Sequence, residues 1–186
     1  MALLDILIFP DKSLREVANK VTSVDDRIQT LLENMAETMY KAPGIGLAGP
    51  QVGICERVMV VDVTPLLAEG VEGPGLLKVI NPEIVEKSGV SRFEEGCLSL
   101  PGLLAEIERA ACVTVKYTNE KGEEKEIKAE GILATALQHE IDHLDGVLIL
   151  DYLSPIKRSR YKSKLKKEIK RMKEEGSSEK PGTMMG

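Results

Sequence analysis

The only two histidines of this 186-residue chain, His139 and His143, lie four residues apart. In a helix, residues i and i+4 stack on one face, so both imidazoles could hold one metal ion. Glu140 directly follows the first histidine and would lie about 100° around the helix axis from it. From there its carboxylate could reach a metal-bound water without binding the metal. This is the His-Glu-x-x-His pattern of metal hydrolases, although a charged surface helix could carry two histidines by chance.

A third ligand must come from elsewhere, because a catalytic zinc site typically has three protein ligands and an open position. Cys97 is the natural candidate, since it stands between Gly96 and Leu98 in a segment that we predict to be extended. Taken alone, a single cysteine is most often a small buried hydrophobic residue. Two imidazoles and one thiolate suit Zn²⁺ or Fe²⁺ far better than Mg²⁺ or Ca²⁺.

These residue types suggest hydrolysis of an amide or a similar carbonyl compound. Glu140 would take the proton as water attacks, while the metal polarises the carbonyl and lowers the pKa of the water. The side-chain amide of Gln51 and the backbone N–H of Leu98 could stabilise the oxyanion that develops. The residues alone do not name the substrate.

The helix that carries the histidines is predicted to follow Gly131 and to end before Gly146, a natural residue just beyond a helix C-cap. Its apolar face consists of Leu133, Ala136, Leu137, Ile141 and Leu144. A helix with this much apolar surface is buried, so we expect its histidines and glutamate to face an interior cleft. This expectation argues against the surface-helix alternative.

A glycine-rich stretch, Gly44–Gly53, matches the dinucleotide-binding fingerprint in its letters, Gly44-x-Gly46-x-x-Gly49. That fingerprint should follow a strand and open a helix, whereas this stretch follows a predicted helix and precedes a strand-like run. Two interpretations stay open. The stretch is a simple turn, or a loop whose small residues let a substrate backbone come close, with Gln51 as an amide donor.

The other elements follow from hydrophobic periodicity and from turn residues. We predict a helix over 25–41 with its N-cap at Thr22 or Ser23, and an irregular loop over 64–76. Residues 5–10 are predicted to be a docking segment or an edge strand. The predicted strands are 57–62, 77–85 with an interruption at 81–82, 106–117 with Cys112 in a structural role, and 124–130 after a hairpin turn at 119–122.

The whole-chain composition is that of an ordinary soluble domain, with 42% hydrophobic and 30% charged residues. No apolar run approaches the roughly 20 residues needed to span a membrane, so we expect no membrane partner. The N-terminus does not resemble a signal peptide. Three cysteines without a CxxC pair fit a reducing compartment, and we therefore predict a cytoplasmic location.

The charge is distributed unevenly along the chain. The net charge is −5, but residues 157–173 contain ten Lys or Arg and one Glu, so this segment carries +9 and the remainder −14. An apolar stripe crosses the segment at Tyr161, Leu165, Ile169 and Met172. The segment is either a helix docked by this stripe or an arm for phosphate backbones. We divide the chain into a catalytic domain (1–155), a basic C-terminal helix (156–173) and a disordered tail (174–186).

Three stretches of the sequence together resemble the three motifs of peptide deformylase, in order and at family-like spacing. They are Gly44–Gln51, Glu95–Ser99 and Gln138–Gly146. Phe9-Pro10, Leu14-Arg15 and Asp151 are also similar to that family, so the resemblance covers about residues 5 to 155. One departure is Gly49, where the family usually has alanine, and we expect it to alter the flexibility of the loop.

The resemblance implies an α+β fold in which antiparallel strands surround a central metal-binding helix. It implies removal of the formyl group from N-formylmethionine at the start of nascent polypeptides, by attack of the metal-bound water on the formyl carbon. The implied roles are metal ligands Cys97, His139 and His143, general base Glu140, and oxyanion donors Gln51 and Leu98. Fe²⁺ is the implied physiological metal, with Zn²⁺, Ni²⁺ or Co²⁺ as alternatives.

The resemblance also implies how substrate and partners bind. Gly46 and Gly96 would line a slot for the peptide backbone, and Ile45 would line an apolar pocket for the methionine side chain. The basic C-terminal helix resembles that of bacterial deformylases, which contacts the ribosome and its rRNA.

Two other functions remain possible from the sequence. The first is a metallopeptidase that cleaves unformylated peptides with the same activated water. The second is an RNA- or ribosome-binding protein with a structural zinc site, which would need a fourth protein ligand.

Overall fold

The computed structural model describes residues 2–174. The described part of the chain contains three α-helices and two antiparallel sheets, which confirms the predicted α+β fold. The helices are α1 (Asp26–Lys41), α2 (Gly131–Leu144) and α3 (Pro155–Glu174). No described helix combines the length and apolar character that crossing a membrane requires. The tail predicted to be disordered falls, beyond Glu174, outside the described residues.

Seven strands form the sheets. The larger sheet has the order β1-β2-β3-β6-β7, and the smaller one pairs β4 with β5. The strands are β1 (Gly46–Ala48), β2 (Val58–Val61), β3 (Leu77–Ser88), β4 (Ser91–Gly96), β5 (Leu104–Arg109), β6 (Cys112–Thr118) and β7 (Glu124–Glu130).

Helix α2 lies at the centre of the fold, as predicted. Its apolar face packs on the larger sheet, where Leu137 and Leu144 share one buried cluster with Met59 and Val115. Asp145 caps the C-terminus, and Gly146 follows with a φ of 72°, a conformation that glycine adopts without strain. Burial of this helix brings its polar motif residues into the interior.

Helix α1 confirms the prediction for 25–41, but its N-cap is Asp25. The Asp25 carboxylate accepts a hydrogen bond from the Ile28 N–H. The expectation of Thr22 or Ser23 as the N-cap is therefore wrong, because the chain enters the helix two residues later. A carboxylate at this position also interacts favourably with the helix dipole.

The single strand predicted over 106–117 is wrong, because the chain changes sheets in its middle. β5 pairs with β4 in the smaller sheet, whereas β6 pairs with β3 and β7 in the larger one. β4 was not predicted as a strand, because its mostly polar residues give little strand signal. The predicted interruption of β3 is seen as a shift in pairing register after Ile80, where Asn81 has a φ of 51°.

The two ends of the described chain both dock beside the segment that carries Cys97. The N–H groups of Leu7 and Phe9 donate to the carbonyl oxygens of Gln51 and Ser99, so residues 5–10 are a docking segment. On α3, the predicted stripe is buried at Tyr161 and Leu165. These two residues pack in one cluster with Leu14, Leu100 and Leu148.

Candidate metal centre

Cys97, His139 and His143 come together at the centre of the fold. Their potential ligand atoms all lie within 4.8 Å of one another, and Cys97 Sγ is 3.2 Å from His143 Nε2. The two histidines are one turn apart on α2, and Cys97 directly follows the end of β4. Two imidazoles and a thiolate at this spacing fit one divalent ion such as Zn²⁺ or Fe²⁺.

His139 is held by a buried carboxylate, Glu95. Its Nδ1 lies 2.9 Å from Glu95 Oε2, which leaves Nε2 for the metal side. Arg109 binds the same carboxylate through two hydrogen bonds of 2.6 and 2.9 Å. Burial raises the pKa of Glu95, but the hydrogen bonds from His139 and Arg109 outweigh this effect, so the net pKa is lowered. Glu95 is therefore a carboxylate that orients one imidazole.

Glu95 and Arg109 have roles that were not predicted from the sequence. Glu95 stands in the second motif, but its spacing does not reveal that it reaches α2. Arg109 alternates with Ala105 and Ile107 on the buried face of β5. An arginine on a buried strand face needs a carboxylate partner, and this was the available signal. It could be interpreted only with β5 correctly bounded.

Glu140 lies in the same site, and one of its carboxylate oxygens accepts no hydrogen bond from the described residues. Its Oε2 is buried and has no hydrogen-bond partner among the described residues. Burial disfavours the charged form and raises the pKa of Glu140 to about 7. A carboxylate with this pKa can both accept and release a proton near neutral pH.

Gln51 is oriented by its neighbours. Its Oε1 accepts a 2.8 Å hydrogen bond from the Ala48 N–H, which directs its Nε2 towards Ser99 Oγ at 3.3 Å and Cys97 Sγ at 3.7 Å. The amide donor is thereby held beside the candidate ligand Cys97. Leu98 lines the same cleft.

A cleft of about 650 Å³ opens onto this cluster. Eight of the nine residues proposed from the sequence line it, and the ninth, His143, lies buried beside Cys97. The eight are Ile45, Gly46, Gln51, Gly96, Cys97, Leu98, His139 and Glu140. Leu66, Leu104 and Ile132, which were not predicted as site residues, add further apolar lining.

The glycines of the cleft differ in the space around them. A β-carbon at Gly46 would overlap Glu140 Oε1, whereas one at Gly96 would lie 3.3 Å from Leu104 Cδ2. At Gly49 a β-carbon would lie 2.7 Å from two backbone oxygens, those of Ile54 and Glu56. The structure therefore gives a steric reason for glycine at the one position that departs from the family motif.

Comparison with known proteins agrees with this geometry. A family model described as polypeptide deformylase matches residues 3–159. The chain is 53% identical over 168 residues to peptide deformylase 1 of Burkholderia multivorans, covering 90% of each chain. It is 49% identical over 170 residues to the peptide deformylase of Alkalilimnicola ehrlichii, covering 91% of this chain and 93% of the relative. The crystal structure of a peptide deformylase from Legionella pneumophila superposes with a TM-score of 0.83 at 45% identity, covering 92% and 98% of the two chains.

Proposed function

This chain belongs to the polypeptide deformylase family, and from that premise we propose how its residues carry out the reaction. The protein is a metal-dependent hydrolase that removes the formyl group from N-formylmethionine at the N-terminus of nascent polypeptides. The observation that carries the residue assignments is the convergence of Cys97, His139 and His143 within 4.8 Å, in a cleft shared with Glu140 and Gln51.

Cys97, His139 and His143 hold the metal in this proposal. When bound, the metal polarises the formyl carbonyl and lowers the pKa of the attacking water. From the family resemblance we assign Fe²⁺ as the resident ion. Zn²⁺, Ni²⁺ or Co²⁺ are the proposed substitutes, because thiolate and imidazole donors suit all four ions. Glu95 keeps His139 in one tautomer, since its carboxylate accepts the hydrogen bond at Nδ1.

Glu140 is the general base. Its Oε2 has no hydrogen-bond partner in the described structure, so it is available to the attacking water. It accepts a proton as the new bond to the formyl carbon forms, and it delivers that proton to the departing amine nitrogen when the C–N bond breaks. The products are formate and a peptide with a free amino terminus.

The substrate is positioned by the walls of the cleft. Gln51 Nε2 and the Leu98 backbone N–H donate to the oxyanion. Gly46 and Gly96 leave room for the substrate backbone between β1 and β4, because neither carries a side chain into the slot. Ile45 contributes to the apolar pocket for the methionine side chain.

We assign residues 1–155 to the catalytic part and residues 156–173 to an arm for the ribosome. The stripe on α3 docks onto the body at Tyr161 and Leu165, while Arg160, Lys164 and Lys167 stay exposed along one shallow groove. A row of cations suits rRNA phosphates. Because nascent chains emerge from ribosomes, the proposed place of action is the cytoplasm.

Turnover of formyl-Met-Ala-Ser and of Met-Ala-Ser by anaerobically purified protein, loaded with Fe²⁺ or Zn²⁺, tests these assignments. We expect formate from the first peptide alone, and more with iron. Cleavage of the unformylated peptide would instead identify a metallopeptidase. Bound metal without turnover of either peptide would indicate a structural site.

A further inference from the structure

The carboxylate that holds His139 belongs to a longer chain of contacts that ends at Tyr152. Arg109, which pairs with Glu95, also donates a 2.8 Å hydrogen bond to Asp142 Oδ2. The Tyr152 hydroxyl donates to the same oxygen at 2.8 Å. The guanidinium carbon of Arg109 lies 5.3 Å from the centre of the Tyr152 ring, within cation–π distance.

Tyr152 shields the Arg109 side of this network from water, whereas the Asp142 side chain is 23% exposed. A second cleft, of about 560 Å³, is lined by Arg109, Asp142 and Tyr152, but not by Cys97, His139 or His143. The Arg109 side chain is nevertheless only 4% exposed. The Tyr152 ring therefore covers a buried ion pair at the base of an open cleft, and loss of the ring would admit water to it.

We propose that Tyr152 is a positioning residue for the metal centre. Its hydroxyl and ring hold Asp142 and Arg109, these hold Glu95, and Glu95 orients the imidazole of His139. The inference rests on the proposed function, in which His139 is a metal ligand. Mutation of a residue that holds a metal ligand by hydrogen bonding commonly lowers metal affinity or activity by about 10- to 100-fold, because such residues fix the orientation of the ligand.

Tyr40 provides a matched control. It is 46% exposed, compared with 47% for Tyr152, and its hydroxyl likewise donates to a carboxylate, Asp62, at 2.6 Å. None of the contacts of Tyr40 described above involves a metal ligand. The same substitution at either tyrosine therefore removes a hydrogen bond to a carboxylate. In the contacts described above, the carboxylate bound by Tyr152 is the one that connects to His139.

The test follows release of Co²⁺ from the loaded protein to a chelator, together with its visible absorption spectrum, kcat and KM. We expect Tyr152→Phe to release Co²⁺ about threefold faster, and Tyr152→Ala about tenfold faster with an altered spectrum. The value of kcat should fall while KM stays unchanged. Tyr40→Phe and Tyr40→Ala should release Co²⁺ at the wild-type rate.

The route through Asp142 is tested by combining changes. Once Asp142→Ala has removed the shared acceptor, adding Tyr152→Phe should accelerate release no further. Fully additive effects, or equal behaviour of the Tyr152 and Tyr40 variants, would overturn the inference while leaving the proposed function intact. If Tyr152→Ala does not fold, Tyr152→Phe decides alone. Wild-type protein that binds no Co²⁺ at Cys97, His139 and His143 would overturn both.

Discussion

His139 Nδ1 lies 2.9 Å from Glu95 Oε2, so a candidate metal ligand on α2 is oriented by a carboxylate from the smaller sheet. Arg109 binds that carboxylate from the other side, and the side chains of this pair are at most 5% exposed. The three residues come from α2, β4 and β5, respectively. Packing of the smaller sheet against α2 therefore orients the imidazole of His139.

Glu95→Gln should weaken both the metal site and the fold. The amide can still accept from His139, but Asp142 is then the one remaining counter-charge of the buried Arg109 guanidinium. The cost should therefore lie below the roughly 3–5 kcal/mol that is typical when a buried charge loses its whole partner. We expect metal affinity or kcat/KM to fall by about 10- to 100-fold, with a lower melting temperature. Metal titration and calorimetry measure these changes. Glu106→Gln, an exposed change of equal charge on β5, is the control, and an equal loss in both variants would remove the special role of Glu95.

Glu140→Ala should keep the metal and lose turnover. Removal of a general base typically costs about 10²–10⁴ in rate, whereas the three metal donors remain in place. Metal content and formate release, measured on the same sample, separate these effects. His139→Ala is the comparison, since it should lose metal and activity together. Full activity in Glu140→Ala would exclude it as the general base.

Gly46→Ala should reduce turnover far more than Gly96→Ala. A methyl group at Gly46 would overlap Glu140 Oε1, so the carboxylate must move. A misplacement of about 1 Å in an active site can lower the rate by about 10²-fold. At Gly96 the nearest atom, Leu104 Cδ2 at 3.3 Å, belongs to an exposed side chain that can move aside. The two variants are compared by formate release, and equal losses would show that contact with Glu140 is not the cause.

The sequence predicted the residues of the site better than the connections between them. Local spacing is enough to place His139, Glu140 and His143 on one helix, and the apolar face of that helix predicts its burial. Motif order adds Cys97 and Gln51. These signals are short-range or are carried by whole motifs, and the structure brings all of these residues together.

What the sequence did not predict depends on tertiary pairing. The change of sheet between β5 and β6 is not visible in an alternating pattern that runs through both strands. Without it, Arg109 cannot be assigned to Glu95. The N-cap at Asp25 was missed for a different reason: Thr22, Ser23 and Asp25 are all of types that cap helices, so residue type alone does not choose among them.

Asp151 should make the fold more stable at neutral than at acid pH. Burial raises the pKa of this carboxyl, but hydrogen bonds from Arg15 and the Leu148 N–H outweigh it, and Arg158 adds to the effect, so the net pKa is lowered. A lowered folded-state pKa gives stability that is present above the unfolded value of about 3.9 and is lost as the pH falls through the folded value. Asp151→Asn should therefore melt below wild type at about pH 7, with a smaller difference at about pH 3.

The control for this pH dependence is Glu108→Gln. Glu108 pairs with Arg92, but both side chains are more than half exposed, so solvent screens the pair. The melting temperature of Glu108→Gln should therefore differ little from that of the wild type at either about pH 7 or about pH 3. A difference for Asp151→Asn that does not shrink in acid would mean that packing, and not ionisation, accounts for its effect.

Neutralising the exposed cations of α3 should separate ribosome binding from catalysis. Deleting the helix is a poor test, because Tyr161 and Leu165 are buried against Leu100, three residues after Cys97. The triple change of Arg160, Lys164 and Lys167 to Gln keeps this docking and removes only charge. We expect unchanged turnover of formyl-Met-Ala-Ser but weaker ribosome association with a shallower salt dependence, since each phosphate contact contributes to that slope.

The matched control for the α3 variant replaces Lys116, Lys125 and Lys128 with Gln, the same charge change at three exposed positions of β6 and β7. If the α3 cations bind rRNA phosphates, only their loss should weaken co-sedimentation with ribosomes at low salt, because net charge is equal in the two variants. Equal weakening in both would attribute the attraction to overall charge. Unchanged binding in both would end the assignment of α3 as the ribosome arm and leave it as a helix that is docked beside the Cys97 segment.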